Sequence, residues 1–375
     1  MKIVHIIIGL NVGGAELMLK RLVLHSQKTN QFQHSIISLT DDGVIGSDLQ
    51  DQGIEVHSLG MSSTITVPRT MARLRKLLKN LQPDVVQTWM YHADFLGGLA
   101  AKSLNVDKII WGIRTTDVSQ GPSKLTVHLS KICAKLSYSI PDVIVCAAHV
   151  SKDYHISIGY DESKMMVIPN GFDVEALSST TEEEGSKVRK EINLSDDDTV
   201  IGTVGRFNPV KNQKLFVEVA ANLVKDFPNL KFMMVGRDNT ADNKELTSWI
   251  KHYNLTDNFR LLGQRNDVPK CLKAMDIFCL HSKTEGFPNV VGEAILSETV
   301  SVAPDVGDVR VLLDDESIAT SNDTAGISDV IRNYLNYPKD KLEDKVSKNK
   351  ENVITKYSMN VVLDKFHSLY SQNKN

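Results

Sequence analysis

MKIVHIIIGLNVGGAELMLKRLVLHSQ, residues 1–27, sets a pattern that the rest of the chain repeats. The run Ile3–Ile8 is almost wholly apolar, as a strand buried on both faces of a parallel sheet must be. It breaks at Gly9, and beyond Gly13 and Gly14 the apolar residues recur at helical spacing over about 15–27. A strand, a glycine turn and a covering helix form the repeating unit of an α/β protein.

The same alternation continues outward. Further strands are predicted at Ser35–Leu39, Val85–Thr88, Ile109–Ile113, Val143–Cys146 and Met166–Ile168, with helices at about 68–80, 92–103, 122–138 and 148–157. After PNGFD, residues 169–173, the composition changes to TTEEEGSKVRKE and then LSDDD, which marks a junction. A second series follows, with strands at Thr199–Gly205, Lys231–Val235, Phe259–Leu262, Ile277–Leu280 and Val300–Ala303. Its helices are predicted at about 212–225, 241–252, 268–274, 290–297, 324–336 and 339–355. The expected fold is two doubly wound, Rossmann-like parallel-sheet domains facing across a cleft, 1–175 and 176–355, with a final helix in 356–375. Ligands then bind at the carboxyl ends of the strands.

Composition excludes several classes. At 375 residues the chain exceeds one ordinary core, and 41% hydrophobic with 24% charged residues describes a folded globular protein. A net charge of -3 speaks against a nucleic-acid binder. The opening apolar run is too short to span a bilayer, so a cytoplasmic protein is expected. Cys133, Cys146, Cys271 and Cys279 show neither metal-ligand spacing nor a disulfide framework. Basic residues are local: Arg69, Arg73, Arg75, Lys76 and Lys79 in one predicted helix, and Lys124, Lys131 and Lys135 in SKLTVHLSKICAKLSYSI, residues 123–140. The latter combines lysines with Leu125, Leu129, Ile132 and Leu136, which suits either peripheral contact with an anionic membrane or a solvated helix face.

Three motifs sit at strand ends. GLNVGGAE, residues 9–16, brings Gly13 and Gly14 to a helix start, where a backbone can approach an anion or simply turn tightly. GRFNPVKNQ, residues 205–213, places Arg206 and Lys211 after a strand; arginine offers a planar fork and lysine a point charge, a pair suited to a diphosphate or to solvent. EGFPNVVGE, residues 285–293, shapes a loop with Gly286 and Pro288, offers Asn289 as an N-cap, and sets Glu285 and Glu293 at two levels of one loop and helix. Carboxylates so spaced can accept hydrogen bonds from different hydroxyls of an extended ligand, or stand as loop and helix charges.

These runs, with LLGQRNDVPKCLKAMDIFCLHSKTEGFPNVVGEA (261–294), DVGDVRVLLDD (305–315) and VIPNGFD (167–173), resemble glycosyltransferase family 4, whose members have the GT-B fold, over nearly the whole chain. The resemblance implies a retaining transferase that moves a hexose or N-acetylhexosamine from a sugar nucleotide, UDP-linked by expectation, to a glycan acceptor. That acceptor is expected to be lipid-linked, in capsule, lipopolysaccharide or exopolysaccharide synthesis. It implies that Arg206 and Lys211 bind the diphosphate and stabilise its growing charge without a metal or other cofactor. Glu285 would meet the donor sugar, Glu293 the ribose, and the backbone N–H groups of Phe287, Asn289 and Val290 the sugar and phosphate. Gln264 and Arg265 would flank the base, and Gly14 would approach the phosphates from the N-terminal, acceptor-binding domain. The final helix, with Val362, Phe366, Leu369 and Tyr370 at helical spacing, would pack back on that domain.

Two departures from the family pattern stand out. WGIRTTD, 111–117, offers Arg114 where many relatives have a histidine facing the donor sugar. The His-x-His common after the third strand is here Gln87 and Trp89, with His92 three residues on, either an acceptor-side residue or a capping or solvent-facing histidine at a helix start. A sugar-nucleotide epimerase or hydrolase on this architecture, and a silent binding subunit, are the other function classes.

Overall fold

A computed structural model describes residues 1–116, 124–195 and 197–372; Asp117 and the expected helix start at 122 lie outside the described residues. The chain divides into two compact units, Met1–Gly171 joined by Met359–Asn375, and Phe172–Ser358.

The first unit runs β1 (Lys2–Ile7), α1 (Gly14–Gln27), β2 (Gln33–Ser38), α2 (Gly43–Asp51), β3 (Glu55–Ser58), α3 (Val67–Leu81), β4 (Val85–Trp89), α4 (Tyr91–Ser103), β5 (Lys108–Ile113), α5 (Lys124–Leu136), β6 (Val143–Cys146), α6 (His149–Ser157) and β7 (Met165–Val167). Its seven strands pair in parallel in the order β3-β2-β1-β4-β5-β6-β7. β1 is central because Ile3, Val4, Ile6 and Ile7 bury both faces. The chain leaves β1 in one direction and resumes at β4 in the other, so the crevice lies between the loops after these two strands. The sequence predicts neither β3 nor α2. β3 is a four-residue edge strand, Glu-Val-His-Ser, with no fully buried residue, so no apolar run announces it.

The second unit runs α7 (Val174–Ser178), α8 (Glu182–Glu191), β8 (Val200–Val204), α9 (Gln213–Leu223), β9 (Lys231–Val235), α10 (Lys244–His252), β10 (Phe259–Gly263), α11 (Val268–Lys273), β11 (Ile277–Cys279), α12 (Asn289–Leu296), β12 (Val300–Pro304), β13 (Ile318–Ala319), α13 (Thr324–Leu335) and α14 (Lys339–Tyr357). Six strands pair in parallel as β10-β9-β8-β11-β12-β13, and the reversal falls between β8 and β11.

The last helix, α15 (Met359–Ser371), belongs to the first unit and packs on α1. Met359, Val362, Leu363, Phe366, Leu369 and Tyr370 join the core formed by Ile3, Ile7 and Leu22. A buried polar line reinforces the contact. Trp89 Nε1 donates to His5 Nδ1 at 3.3 Å, His5 Nε2 meets His34 Nδ1 at 2.9 Å, His34 Nε2 meets Ser26 Oγ at 2.7 Å, and Ser26 Oγ meets His367 Nε2 at 2.8 Å. An indole only donates, so each imidazole must accept on the side nearer Trp89; His5 and His34 donate onward, and Ser26 passes its proton to His367.

Candidate active site

In the second unit the two loops at the strand reversal are tied together. Lys283 N donates to Val210 O at 2.8 Å, and Lys211 Nζ donates to Glu285 Oε1 at 2.6 Å. Lys211 and Glu285 are both largely shielded, with side chains 30% and 13% exposed, so this charge pair is stronger than one in open solvent. Arg206 behaves differently: it is exposed, and its guanidinium has no partner among the described residues. Its backbone is fixed, because Gln213 Nε2 donates to Arg206 O at 2.7 Å while Gln213 Oε1 accepts from Asn208 N at 3.2 Å. Asn208 Oδ1 in turn accepts from Val210 N at 2.9 Å, completing the turn that delivers Lys211.

The loop after β11 is anchored from below. The Phe287 ring packs against Phe172 at 5.8 Å and Tyr357 at 5.5 Å. Gly307, at φ +59°, comes so close that a Cβ there would meet Gly286 O at 2.4 Å, and Asp308 N donates to the same oxygen at 2.9 Å. Gly286 thus holds one backbone path, followed by Pro288. The N-cap of α12 is Pro288 and not the expected Asn289, which is the first helical residue. Asn289 N already donates to Phe287 O at 2.9 Å, which removes it from the anticipated set of free N–H groups; the tight turn through Pro288 is the reason. Val290 and Glu293 are both half-buried on the first turns of α12.

Gln264 is exposed at the end of β10, two strands from β8, about 10 Å along the sheet edge. Arg265 is locked. Its Nε and Nη2 reach the two Asp267 oxygens at 2.8 Å each, and Nη1 reaches Glu191. That double fork holds the Asp267 and Glu191 carboxyls below the usual range. Beneath the reversal, Thr203 Oγ1 and His281 Nε2 are 2.9 Å apart, and the His281 ring stacks on Phe216 at 5.1 Å. Burial pushes His281 down to about 4, so it is neutral beside Lys211. The sequence reading assigns no role to Gln213 or His281. Gln213 closes the quoted GRFNPVKNQ run, and its fixed distance from Arg206 is the available signal.

In the first unit Gly13 is the N-cap of α1 in an extended conformation. A Cβ on Gly13 would meet Glu16 Oε2 at 2.3 Å, whereas one on Gly14 would meet nothing within 4 Å. The clash is with the end of a flexible side chain that can swing aside, so glycine is not required there; Glu16 folds over the helix start and burial raises its carboxyl. His92 lies half-buried in the first turn of α4 and makes no hydrogen bond among the described residues, so it is not a capping residue. Burial lowers its imidazole below the ordinary histidine range. The residue before α4, Met90, stands at φ +72°, a strained setting for a side chain at the strand reversal.

Arg114, half-buried just past β5, is held by its neighbours. Its guanidinium lies over the Trp89 ring at 4.9 Å and the Phe366 ring at 5.8 Å, and Nη1 donates to Asn170 Oδ1 at 3.1 Å and Ile168 O at 3.3 Å. Nε and Nη2 are buried without a partner, and burial pushes the group down to about 10. The aromatic faces and the Ile168 carbonyl hold the half-buried side chain in place.

On α5, Lys124, His128, Lys131 and Lys135 form one exposed stripe, but Leu129 and Leu136 pack on the core. Two of the four apolar residues expected to face a membrane, Leu129 and Leu136, are therefore used internally, while Leu125 is exposed. No helix among the described residues is long and apolar enough to cross a membrane.

Comparison with known proteins fits this geometry. The family model for glycosyl transferases group 1 matches residues 185–353, and that for glycosyltransferase family 4 matches residues 12–176. The UDP-Gal:alpha-D-GlcNAc-diphosphoundecaprenol alpha-1,3-galactosyltransferase of Escherichia coli is 28% identical over 82% of this chain and 80% of its own. The N,N'-diacetylbacillosaminyl-diphospho-undecaprenol alpha-1,3-N-acetylgalactosaminyltransferase of Campylobacter jejuni is 26% identical over 86% of this chain and 87% of its own. Among solved structures, Anabaena HepE in complex with UDP superimposes with a TM-score of 0.86 at 19% identity, covering 99% of this chain and 100% of that one. With one family model on each unit and a solved structure of the same fold matching the full length, this chain belongs to glycosyltransferase family 4 and is a glycosyltransferase of the GT-B fold.

Proposed function

We propose that this glycosyltransferase moves a hexose or N-acetylhexosamine from a UDP-sugar to a lipid-linked glycan acceptor, with retention of anomeric configuration, in bacterial-type surface polysaccharide synthesis. The observation that carries the reading is the Lys211–Glu285 pair at the strand reversal of the second unit, beside the unpartnered Arg206. Arg206 and Lys211 take the diphosphate, whose negative charge grows as the sugar–oxygen bond breaks; fixed cations favour that state and need no metal. Glu285, released from Lys211 by the incoming phosphate, accepts hydrogen bonds from the donor sugar, and Glu293 from the ribose. The sugar passes through an oxocarbenium-like state and is attacked on the face the diphosphate leaves, so no protein carboxylate acts as nucleophile. Gly14 and His92 flank the reversal in the first unit, and His92 serves the acceptor side.

Support for the donor comes from HepE, solved with UDP and with UDP-glucose. Support for the acceptor comes from the E. coli and C. jejuni relatives, whose names specify undecaprenyl diphosphate sugars. Both are transferases, which favours transfer over epimerisation, hydrolysis or silent binding. The cationic stripe of α5 and the basic residues of α3 provide an electrostatic contact with anionic lipid. The test is a panel of UDP-sugars with a diphosphate-linked acceptor, reading product by mass and anomeric configuration by NMR. An α-linked product from an α-donor is expected; an inverted product, or UDP release that does not depend on acceptor, would refute the reading.

A further inference from the structure

The turn from β4 into α4 holds an uncommon backbone. Met90 stands at φ +72°, ψ 161°, a region that residues with side chains enter only when their surroundings force them. Three elements supply that force. Met90 N donates to Gly112 O on β5 at 2.8 Å, and Met90 O accepts from Asp94 N on α4 at 2.9 Å. Thr88 Oγ1, on β4, donates to Asp94 Oδ1 at 2.5 Å, and the Gly112 N–H also favours the Asp94 carboxylate. Two glycines let these elements close up: a Cβ on Gly112 would meet Thr88 O at 2.6 Å, and one on Gly97 would meet the Thr88 methyl at 2.9 Å.

Asp94 is fully buried at the centre of this lock. A carboxyl group is costly to bury, and packing alone would be served better by an apolar side chain. Asp94 instead fastens β4 and β5 to the first turn of α4, on both sides of the strained residue. The same turn sets direction. Tyr91 points inward, its hydroxyl 2.7 Å from His155 Nε2, and Asp94 shares that face at helical spacing. His92 is thereby turned aside and left half-buried.

We infer that Asp94 is a positioning residue for the transfer: it holds the Met90 turn and through it holds His92 where the acceptor is met. The inference rests on the acceptor-side reading of His92 given above and adds the group that fixes its place. Asp94 has no exposed surface and touches no substrate. With its side chain removed, the Met90 backbone relaxes toward an ordinary φ and the first turn of α4 shifts, carrying His92 with it. Arg206, Lys211 and Glu285 stand on elements of the other unit.

The test compares the two substrates at about pH 6, where burial, which pushes the Asp94 carboxyl up to about 7, keeps it the neutral acid that asparagine copies. Asp94→Ala should lower kcat/KM for the diphosphate-linked acceptor roughly tenfold or more, with UDP affinity by calorimetry within about twofold of wild type. Asp94→Asn should keep both within about twofold. Adding Met90→Gly to Asp94→Ala should recover about threefold or more of the loss, because glycine holds the same backbone angles unaided. A lowered melting temperature without the acceptor-sided loss, or a loss that glycine does not recover, overturns the inference, and so does an equal fall in UDP affinity. If Asp94→Ala does not fold, Thr88→Val takes its place, since it removes only the hydroxyl that faces Asp94; an acceptor-sided loss of about threefold is expected, and no loss overturns the inference. His92→Ala tests the reading underneath. A loss of roughly tenfold there with none in Asp94→Ala leaves the acceptor reading standing and overturns the inference, whereas an unchanged acceptor kcat/KM in His92→Ala removes both.

Discussion

At the scale of single residues, Lys211 and Arg114 show how much direction matters. Lys211→Ala and Glu285→Ala should each lower kcat at least a hundredfold, roughly 2.7 kcal/mol of transition-state stabilisation, with circular dichroism and melting unchanged. Wild-type turnover in both would withdraw their roles. Arg114→Ala should instead destabilise the protein by about 2–4 kcal/mol, through lost packing between Trp89 and Phe366, and leave the donor KM within about twofold. Arg114→Met should recover most of the stability, because it fills the same space without burying a charge. A raised donor KM at normal stability would return Arg114 to the sugar. The sequence locates both residues equally well, each just past a strand. It leaves Arg114 undirected because side chains at a strand end alternate between faces, and the Trp89 and Phe366 rings that capture it lie 25 and 252 residues away along the chain.

Among elements, α15 and its polar line give the protein a dependence on pH. Burial holds His34 down to about 4, and His5 is likewise depressed. The unfolded chain takes up a proton near pH 6.5, whereas folded His34 does not until about pH 4, so the unfolded state binds more protons in that window. The stability is fully present above pH 6.5 and is lost as pH falls toward 4, by on the order of 3 kcal/mol for His34. Asp94 has the opposite sign: burial raises it to about 7, so the fold holds its proton and its cost is relieved as pH falls. Urea titrations of His34→Gln should therefore show lower stability than wild type at pH 7 and a flatter loss between pH 6.5 and 4. Parallel curves would show that His34 does not titrate with folding. Long elements such as α1, α4 and β5 are legible in sequence because their apolar spacing is complete. β3 is not, since this edge strand buries none of its residues, and β13 is not because two residues, though apolar and buried, are too few to make a pattern.

For the molecule as a whole, both strand reversals carry the motifs that the sequence singles out: Gly13, Gly14 and His92 in the first unit, and Arg206, Lys211 and the Glu285–Glu293 segment in the second. The proposed charge arrangement relies on protein cations, so turnover should persist within about twofold in excess EDTA, and rise in ionic strength should weaken donor binding. Abolition by EDTA with rescue by magnesium or manganese would call for a different leaving-group device. The division of the chain also bears on biosynthesis. The first unit begins with β1 but is closed by α15, and the whole second unit, Phe172–Ser358, is translated in between. At ordinary ribosomal rates the nascent first unit waits roughly 10 to 40 s with the surface destined for α15 uncovered, while the later-made unit is free to fold first. A ribosome that stalls before Met359 thus releases a chain with one finished half and one sticky half, a natural client for chaperones and proteases.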